Sequence, residues 1–148
     1  MPIWILDRGS GAFGLLHSGW RGTGILGVAI RALSDRFGSN PASISVILGP
    51  AIGSCCYVVP AERAKAFASE HGESAVSKRD GEWRLDLRAA NVAIAERAGV
   101  GALFSIEACT SCDERLGSYR RQGPVSFTRM LAVCGSSGAT PNVIGGEP

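Results

Sequence analysis

Residues 2–37 read PIWILDRGSGAFGLLHSGWRGTGILGVAIRALSDRF, and this stretch passes from strand to turn to strand to helix patterns. The apolar residues 2–6 and 12–17 flank the turn-forming sequence DRGSG, so they predict a β-hairpin. From residue 24 to 37 the apolar residues recur at the spacing of one helix face, and a glycine follows at the C-cap position. The segment HSGWRGT, residues 17–23, is therefore predicted to join the end of a strand to the start of a helix.

The rest of the chain continues this alternation. One further helix is predicted from Pro60 to about Glu70, and another from the N-cap Asp86 to Arg97, before Gly99. Further strands are predicted at residues 44–48, 83–85, 102–106 and 127–133, with a polar surface loop at 72–81. Alternating strands and helices indicate an α/β or mixed α+β fold. We expect one domain over residues 1–134 and a flexible tail over residues 135–148, which are rich in glycine and serine.

The composition is that of a folded and nearly neutral domain. The 148 residues are 45% hydrophobic, and 15 Lys plus Arg face 13 Asp plus Glu. These values disfavour intrinsic disorder and a nucleic-acid binder driven by net charge. The apolar runs are far shorter than the ~20 residues that span a bilayer, and no signal-like segment opens the chain. We therefore expect no nucleic-acid partner, no membrane and a cytoplasmic location.

The HSGWRGT segment is the first candidate site, because α/β folds place ligands where a strand ends and a helix begins. His17 can serve as a metal ligand or a general base. Arg21 can hold an anion through its planar guanidinium group. The alternative interpretation is a turn at a helix start with a hydrogen-bonded histidine.

The second candidate is the loop GPAIGSCCY, residues 49–57, which contains two adjacent cysteines. Neighbouring side chains on an extended chain point in opposite directions. We therefore expect one of Cys55 and Cys56 to face a site and the other to pack inside. A thiolate beside His17 would be a nucleophile. The alternative is that both cysteines only fill space in a tight loop.

The third candidate comprises CTSC at residues 109–112 and SYRR at residues 118–121. The C-x-x-C spacing suits zinc or a redox disulfide, but a zinc ribbon needs a second such pair. The sequence has no second pair, so a structural zinc is not the favoured interpretation. Tyr119, Arg120 and Arg121 offer an aromatic face and two guanidinium groups, which suit a base, a ribose or a phosphate. The alternative is a solvated basic turn.

These three segments, in this order, resemble the laccase-domain family, also called the YfiH-like or multicopper polyphenol oxidase-like family. The resemblance covers roughly residues 1–133. Further matching features are WRLDL at residues 83–87, Asn91, Gly99-Val100 and Cys109-Thr110. Each feature is weak evidence alone, whereas the ordered set is specific.

The resemblance implies mixed β-sheets packed together and flanked by helices, a fold distantly similar to the catalytic domain of cytotoxic necrotizing factors, which use a Cys–His pair. It implies cleavage of adenosine, inosine or methylthioadenosine with phosphate, and deamination of adenosine. It also implies a zinc ion held by two histidines and one cysteine. Older labels of the family describe copper-dependent laccases, so copper is the second metal expected, and some bacterial members are described as peptidoglycan-editing factors. The partners would be a nucleoside and phosphate.

The chain departs from the family pattern in its metal ligands. Only His17 matches one of the three implied zinc ligands. The other two, an upstream histidine and a cysteine in an Ala-Asp-Cys segment, would precede Met1. Val58 and Gln122 stand where a glutamate and an aspartate are common in the family. We expect the natural protein to start upstream, with Ala-Asp-Cys encoded directly before Met1. The alternative is a genuine short form, with weak or absent activity, because one imidazole is a poor zinc site.

The leading hypothesis is a zinc-dependent purine nucleoside phosphorylase and deaminase. His17 would be a metal ligand at the catalytic centre. Arg21, Arg120 and Arg121 would neutralise phosphate or developing negative charge, and Tyr119 would contact the nucleoside.

Two alternatives come from other functional classes. One is a cysteine hydrolase or transferase in which Cys55 or Cys56 is the nucleophile and His17 the base. The other is a catalytically degenerate fragment that binds a nucleotide or partner, or forms a homo-oligomer through an exposed N-terminal edge strand.

Overall fold

The hairpin at the start of the chain is the first element of a four-stranded sheet. The computed structural model describes residues 1–135. Strands β1 (Pro2–Asp7) and β2 (Phe13–His17) pair antiparallel, with Pro2 opposite His17. The carboxylate of Asp7 closes the connecting turn, because it accepts hydrogen bonds from the backbone N–H groups of Gly9 and Ser10. The predicted hairpin is confirmed.

The sheet is completed by β3 (Ile44–Leu48) and β7 (Ala102–Ser105), in the order β2-β1-β3-β7. Strands β2 and β3 both run antiparallel to β1, and β7 runs parallel to β3. The carboxyl ends of β2, β3 and β7 therefore lie at one edge of the sheet. The loops that carry all three candidate sites start at this edge.

Strand β1 is internal to this sheet, since β2 and β3 pair with it on either side. The expectation of an exposed edge strand at the N-terminus is therefore wrong. Among residues 1–135, the outermost strands of this sheet, each paired on one side, are β2 and β7. Pairing with β3 supplies the partner that the local sequence could not reveal.

Helices α1 (Ile25–Phe37) and α3 (Leu87–Ala98) contact each other and pack on one face of this sheet. Both end as predicted, because Gly38 and Gly99 adopt the left-handed conformation that closes a helix. Asp86 caps α3 by accepting a hydrogen bond from the N–H of Ala89. The core lies between the helices and the sheet and contains these fully buried aliphatic residues: Ile3, Ile5, Leu26, Ile44, Val46 and Leu48.

A second sheet is antiparallel and contains β4 (Val58–Val59), β6 (Glu82–Leu85) and β5 (Val76–Arg79), in that order. Helix α2 (Ala61–His71) packs against β5 and β6 and begins one residue after Pro60, which is its N-cap. The predicted polar loop at 72–81 is wrong in part, because a short 3-10 helix (Glu73–Ala75) and β5 occupy it. Asp80 and Gly81 form the tight turn of a hairpin, with φ of 52° and 80°. An Asp-Gly pair is the sequence signal for that turn.

The strand predicted at 127–133 is absent from the described part of the chain. This segment instead crosses the outer face of the four-stranded sheet, where the indole N–H of Trp4 donates to the Val133 carbonyl oxygen at 2.8 Å. It also passes so close to Gly117 that a Cβ there would clash with the Thr128 carbonyl oxygen. The apolar run packs against side chains without pairing its backbone, and Leu131 and Val133 remain exposed.

The element composition confirms the predicted mixed α+β class with sheets flanked by helices. A short helix, α4 (Tyr119–Gln122), follows β7 in the loop that carries the third candidate site. No helix within residues 1–135 has the length and hydropathy needed to cross a membrane. The tail predicted for residues 135–148 lies, apart from its first residue, outside the described residues.

Candidate functional site

An open cleft of about 1450 Å³ lies at the sheet edge where β2, β3 and β7 end. It combines one imidazole with aromatic rings and guanidinium groups. The side chains that matter for its chemistry are His17, Trp20, Tyr57, Arg63, Tyr119 and Arg120. The structure therefore brings three of the predicted site residues, His17, Tyr119 and Arg120, to one cleft.

His17 is positioned by a buried polar network behind it. The next residue, Ser18, is fully buried and accepts a hydrogen bond from the Asn91 side-chain nitrogen at 3.0 Å. Asn91 also donates to the Leu87 carbonyl oxygen at 2.7 Å, which ties the His17 loop to α3. The Thr23 hydroxyl donates to the Gly19 carbonyl oxygen at 2.7 Å. These contacts hold the end of β2 while the His17 ring stays exposed on the cleft side.

Burial keeps the His17 ring neutral near physiological pH. Partial burial lowers the pKa of His17, because the imidazolium form loses hydration. A neutral imidazole can accept a proton or ligate a metal, whereas an imidazolium can do neither. The ring is therefore in the form that either predicted role requires.

Guanidinium groups lie over the rings of Trp20 and Tyr57 in and beside the cleft. The guanidinium carbon of Arg63 lies 4.4 Å from the Trp20 ring centre, and that of Arg21 lies 4.9 Å from it. The Arg120 guanidinium lies 5.5 Å from the Tyr57 ring centre. Arg21 reaches the cleft only through Trp20 and does not itself line it. The result is a surface of flat rings edged by positive charge.

Arg121 lies apart from the cleft lining. Its guanidinium donates to the backbone carbonyl oxygens of Thr110, Ser111, Asp113 and Leu116, at 2.6–3.2 Å. These bonds clamp the loop that follows β7. The role predicted for Arg121 in phosphate binding stays a prediction, and its observed contacts are with the protein's own backbone.

The four cysteines of the second and third segments come together at the base of these loops. The Sγ atoms of Cys55, Cys56, Cys109 and Cys112 all lie within 4.8 Å of one another. The expectation that Cys55 and Cys56 point in opposite directions assumed an extended chain. Residues 54–56 instead form a turn, so both side chains face the same group of thiols.

The thiols differ in their affinity for protons. Burial raises the pKa of Cys55. Burial also opposes ionisation of Cys109, but N–H donors from Gly53, Cys112 and Ser111 outweigh it and lower the pKa of that thiol to about 6. Hydrogen bonds among the thiols raise the pKa of Cys112 to about 12. The Cys109 thiolate, stabilised by backbone N–H groups, therefore lies beside Cys55 and Cys112, which keep their protons.

The structure does not place Cys55 or Cys56 beside His17 in the cleft. Neither Cys55 nor Cys56 is among the residues that line the cleft beside His17. The thiols contact one another, with Cys56 Sγ 3.3 Å from Cys112 Sγ. The pairing of His17 with Cys55 or Cys56 as catalytic groups stays a prediction without a supporting contact.

A three-ligand zinc site at His17 does not fit the residues present. Within the described ranges, the one cluster of three or more potential metal-ligating side chains is the group of four cysteines, which does not include His17. His17 therefore offers a single ligand atom, and the side chains around it in the cleft are arginines and aromatic rings.

Sequence reasoning missed two features of the site. Arg63 lies on α2, a separate element, and no local signal linked it to Trp20. The four-thiol cluster had a signal, because a Cys-Cys pair and a C-x-x-C pair supply four ligands between them. The signal is weak, because the first pair lacks the two-residue spacer of a zinc ribbon.

Comparison with known proteins identifies the family. A family model described as multi-copper polyphenol oxidoreductase laccase matches residues 1–136. The chain is similar to the purine nucleoside phosphorylase YlmD of Geobacillus stearothermophilus, with 36% identity covering 91% of this chain and 52% of that protein. It is also similar to the adenosine deaminase RL5 of an unknown prokaryotic organism, with 34% identity covering 83% of this chain and 50% of that protein.

Solved structures show the same likeness. The crystal structure of YlmD from Geobacillus stearothermophilus superposes with a TM-score of 0.73 at 36% identity, covering 81% of this chain and 48% of that one. The Bacillus licheniformis protein YfiH gives a TM-score of 0.72 at 34% identity, with the same coverage of both chains. The chain thus spans about half the length of these relatives. Since the family model covers nearly all of it, the chain belongs to the YfiH-like laccase-domain family.

Proposed function

We propose that this chain acts on purine nucleosides, as a phosphorylase of inosine, adenosine or methylthioadenosine and as a deaminase of adenosine. The observation that carries the proposal is the single cleft that holds His17, Trp20, Tyr119 and Arg120 together. The relatives named as a purine nucleoside phosphorylase and an adenosine deaminase support the same substrate class.

The cleft surface suits both substrates of phosphorolysis, the purine nucleoside and phosphate. A purine is a flat ring that stacks on aromatic side chains, and Trp20, Tyr57 and Tyr119 line the cleft. Phosphate is an anion that guanidinium groups bind through paired N–H donors, and Arg63 and Arg120 lie beside these rings. We infer that the base stacks near Trp20 and that Arg120 and Arg63 hold the phosphate.

Phosphorolysis exchanges one bond at the sugar carbon C1′. A hydrogen phosphate oxygen forms a bond to C1′ while the C1′–N9 bond breaks and its electron pair moves to the purine. The proton of hydrogen phosphate ends on the purine nitrogen, so inosine gives hypoxanthine and ribose 1-phosphate. The neutral His17 ring can accept that proton at Nε2 and pass it to the leaving base. Arg120 offsets the charge on the phosphate oxygens.

Deamination would use the same ring as a base. Water adds to C6 of adenine, ammonia leaves, and adenosine becomes inosine. His17 can take a proton from the water at Nε2 and deliver it to the departing nitrogen. Zinc, or copper as the alternative, would supply Lewis-acid activation when bound in such a family site. His17 alone does not complete a metal site here, so the proposed steps use the chain's own residues.

The test is the formation of hypoxanthine from inosine and phosphate by the purified chain. We expect His17→Ala to lower the rate at least ~100-fold, the usual range for a positioned acid–base group. Arg120→Ala should mainly raise the KM for phosphate. Arg36→Ala, which removes an exposed guanidinium on α1 away from the cleft, should leave both constants unchanged. Equal rates for wild type and His17→Ala would falsify the role of His17.

A further inference from the structure

The arrangement of four thiols matches the dimensions of a tetrahedral metal site. Cys112 Sγ lies 3.3 Å from Cys56 Sγ and 3.6 Å from Cys55 Sγ, and all four sulfurs lie within 4.8 Å of one another. Zinc–sulfur bonds of about 2.3 Å place tetrahedral sulfurs about 3.8 Å apart. A disulfide would need an S–S distance near 2.05 Å, and all four cysteines are free.

The two loops that supply the thiols are held in register by the backbone. Residues 51 and 109 form a parallel β-bridge, in which the Thr110 N–H donates to the Ala51 carbonyl oxygen at 2.9 Å. This bridge continues the pairing of the parallel strands β3 and β7, after which the two loops begin. The Cys-Cys turn and the C-x-x-C turn therefore face each other as a consequence of the sheet topology.

The surroundings suit an anionic cluster. The Gly53 N–H donates to Cys109 Sγ at 3.2 Å, a contact that stabilises a thiolate ligand. A guanidinium group lies on each loop: Arg84 donates to the Cys55 carbonyl oxygen, and Arg121 donates to the Thr110 and Ser111 carbonyl oxygens. Four thiolates around a divalent cation carry a net charge of about −2. The positive charge of Arg121 favours such a cluster, whereas Arg84 also pairs with Glu82 at 2.8 Å.

We propose that Cys55, Cys56, Cys109 and Cys112 bind one zinc ion as a closed structural site, separate from the cleft that holds His17. Four sulfur ligands at tetrahedral spacing favour zinc among the divalent metals available to proteins. Binding converts the remaining thiols to thiolates and releases their protons. With four protein ligands the ion has no open position, so its role is to fix the loops.

The site would stabilise the floor of the cleft. Ala51, Ile52 and Tyr57 from the first loop and Thr110 from the second line the cleft, and they lie within a few residues of the four cysteines. A metal that joins the two loops would therefore hold the Tyr57 ring and its contact with Arg120 in place. Removal of the metal should therefore lower the thermal stability of the chain, and the position of His17 should change less.

The first test measures metal in the purified full-length chain, prepared with reductant and without added metal, by mass spectrometry. We expect about one zinc per chain. Cys112→Ser and Cys56→Ser should reduce zinc at least tenfold. Cys134→Ser, which removes the exposed fifth cysteine outside the cluster, should keep it. His17→Ala should also keep it, which separates this site from a metal bound in the cleft.

A second measurement needs no variant. In the native chain we expect one thiol, Cys134, to react rapidly with a disulfide reagent, and all five thiols to react once a chelator has removed the metal. Five rapidly reacting thiols before chelation would overturn the proposal. So would iron in place of zinc, a mass lower by four hydrogens that indicates two disulfides, or zinc lost in His17→Ala but kept in Cys112→Ser.

Discussion

Arg121 shows how a residue suited to bind ligands can serve the fold instead. Its guanidinium satisfies four backbone carbonyl oxygens of the loop between Thr110 and Leu116. Hydrogen bonds to a charged group contribute about 1.5–3 kcal/mol each when removal leaves the partner unpaired. Because water can reach part of this loop, we expect Arg121→Ala to lower the free energy of unfolding by about 2 kcal/mol, measured by urea denaturation.

Arg120→Ala is the matched control for that prediction. Arg120 is exposed, and in the described part of the chain its hydrogen bond is a long one, 3.3 Å to the Val58 carbonyl oxygen. An exposed substitution of this kind changes stability by less than about 0.5 kcal/mol. If Arg121→Ala proved no more destabilising than Arg120→Ala, the four carbonyl contacts would not stabilise the loop as described.

Single residues were predictable where local chemistry decides their role. Asp86 was identified as a cap because an aspartate before an apolar helical pattern accepts the first free N–H groups. The role of Arg121 in holding the loop was not predictable, because its partners are backbone carbonyl oxygens, which every residue type carries. The directions of Cys55 and Cys56 were misjudged because they depend on a turn, and not on residue identity.

Helix α2 contains a buried histidine that should make stability depend on pH. His71 is 4% exposed and its ring lies 4.5 Å from the Phe67 ring. Burial lowers the pKa of His71 and the charge of Arg97 lowers it further, whereas Glu70 opposes the change. The unfolded chain therefore takes up a proton more readily than the folded chain. Stability is present above the ordinary pKa, near 6.5, and is lost as the pH falls below it.

We expect the free energy of unfolding to fall between pH 7.5 and pH 5.5, and to fall less in His71→Gln. The measurement is urea denaturation of both proteins at the two pH values. His17 also has a lowered pKa, so His17→Gln should likewise reduce the loss of unfolding free energy between the two pH values. The same decline in wild type and His71→Gln would show that His71 does not contribute.

Elements with clear caps and periodicity were predicted correctly. The glycines that end α1 and α3 and the apolar run of β3 are local signals. Strand β5 reads VSKR and is largely exposed, so it lacks the alternation that reveals a half-buried strand. Residues 127–133 have an apolar pattern, but they cross the face of the sheet, where Trp4 meets them through its side chain. Whether β5 and residues 127–133 form strands depends on pairing with other segments, which their own sequence patterns do not reveal.

At the scale of the molecule, residues 127–133 cover part of the outer face of the four-stranded sheet, and within residues 1–135 other apolar side chains of this face remain exposed. Strand register puts one set of partly exposed apolar residues on this outer face, opposite the helices. They are Leu6, Phe13, Leu15, Ile47 and Phe104. A contiguous apolar face of this kind promotes association. The expected homo-oligomer stays a prediction, but its basis moves from a strand edge to this face.

We expect the chain to associate with a second copy as its concentration is raised, as measured by light scattering after size exclusion. Phe13→Lys combined with Phe104→Lys should shift it to the monomer and leave the urea midpoint nearly unchanged. Val28→Lys, at an equally exposed apolar residue on α1, is the control and should not change association. A wild-type monomer at every concentration, or an equal effect of Val28→Lys, would count against this role of the face.

The position of the candidate site was partly predictable from sequence. A strand end followed by a helix indicated the His17 segment, and the family resemblance linked it to Tyr119 and Arg120. The contact between the two cysteine loops was not predictable, because it depends on the parallel pairing of β3 with β7, more than fifty residues apart. The same pairing brings the loop with Arg120 to the edge where His17 lies.

The central claim, that the cleft beside His17 binds a purine nucleoside, can be tested with the three tryptophans. Trp4 and Trp20 line the cleft, whereas Trp83 lies on β6 outside it, so its indole is an internal control. In a ¹⁵N-labelled chain titrated with inosine in phosphate buffer, we expect the indole N–H signals of Trp4 and Trp20 to shift and that of Trp83 to stay. Unchanged signals for all three at saturating inosine, or a shift confined to Trp83, would contradict the account.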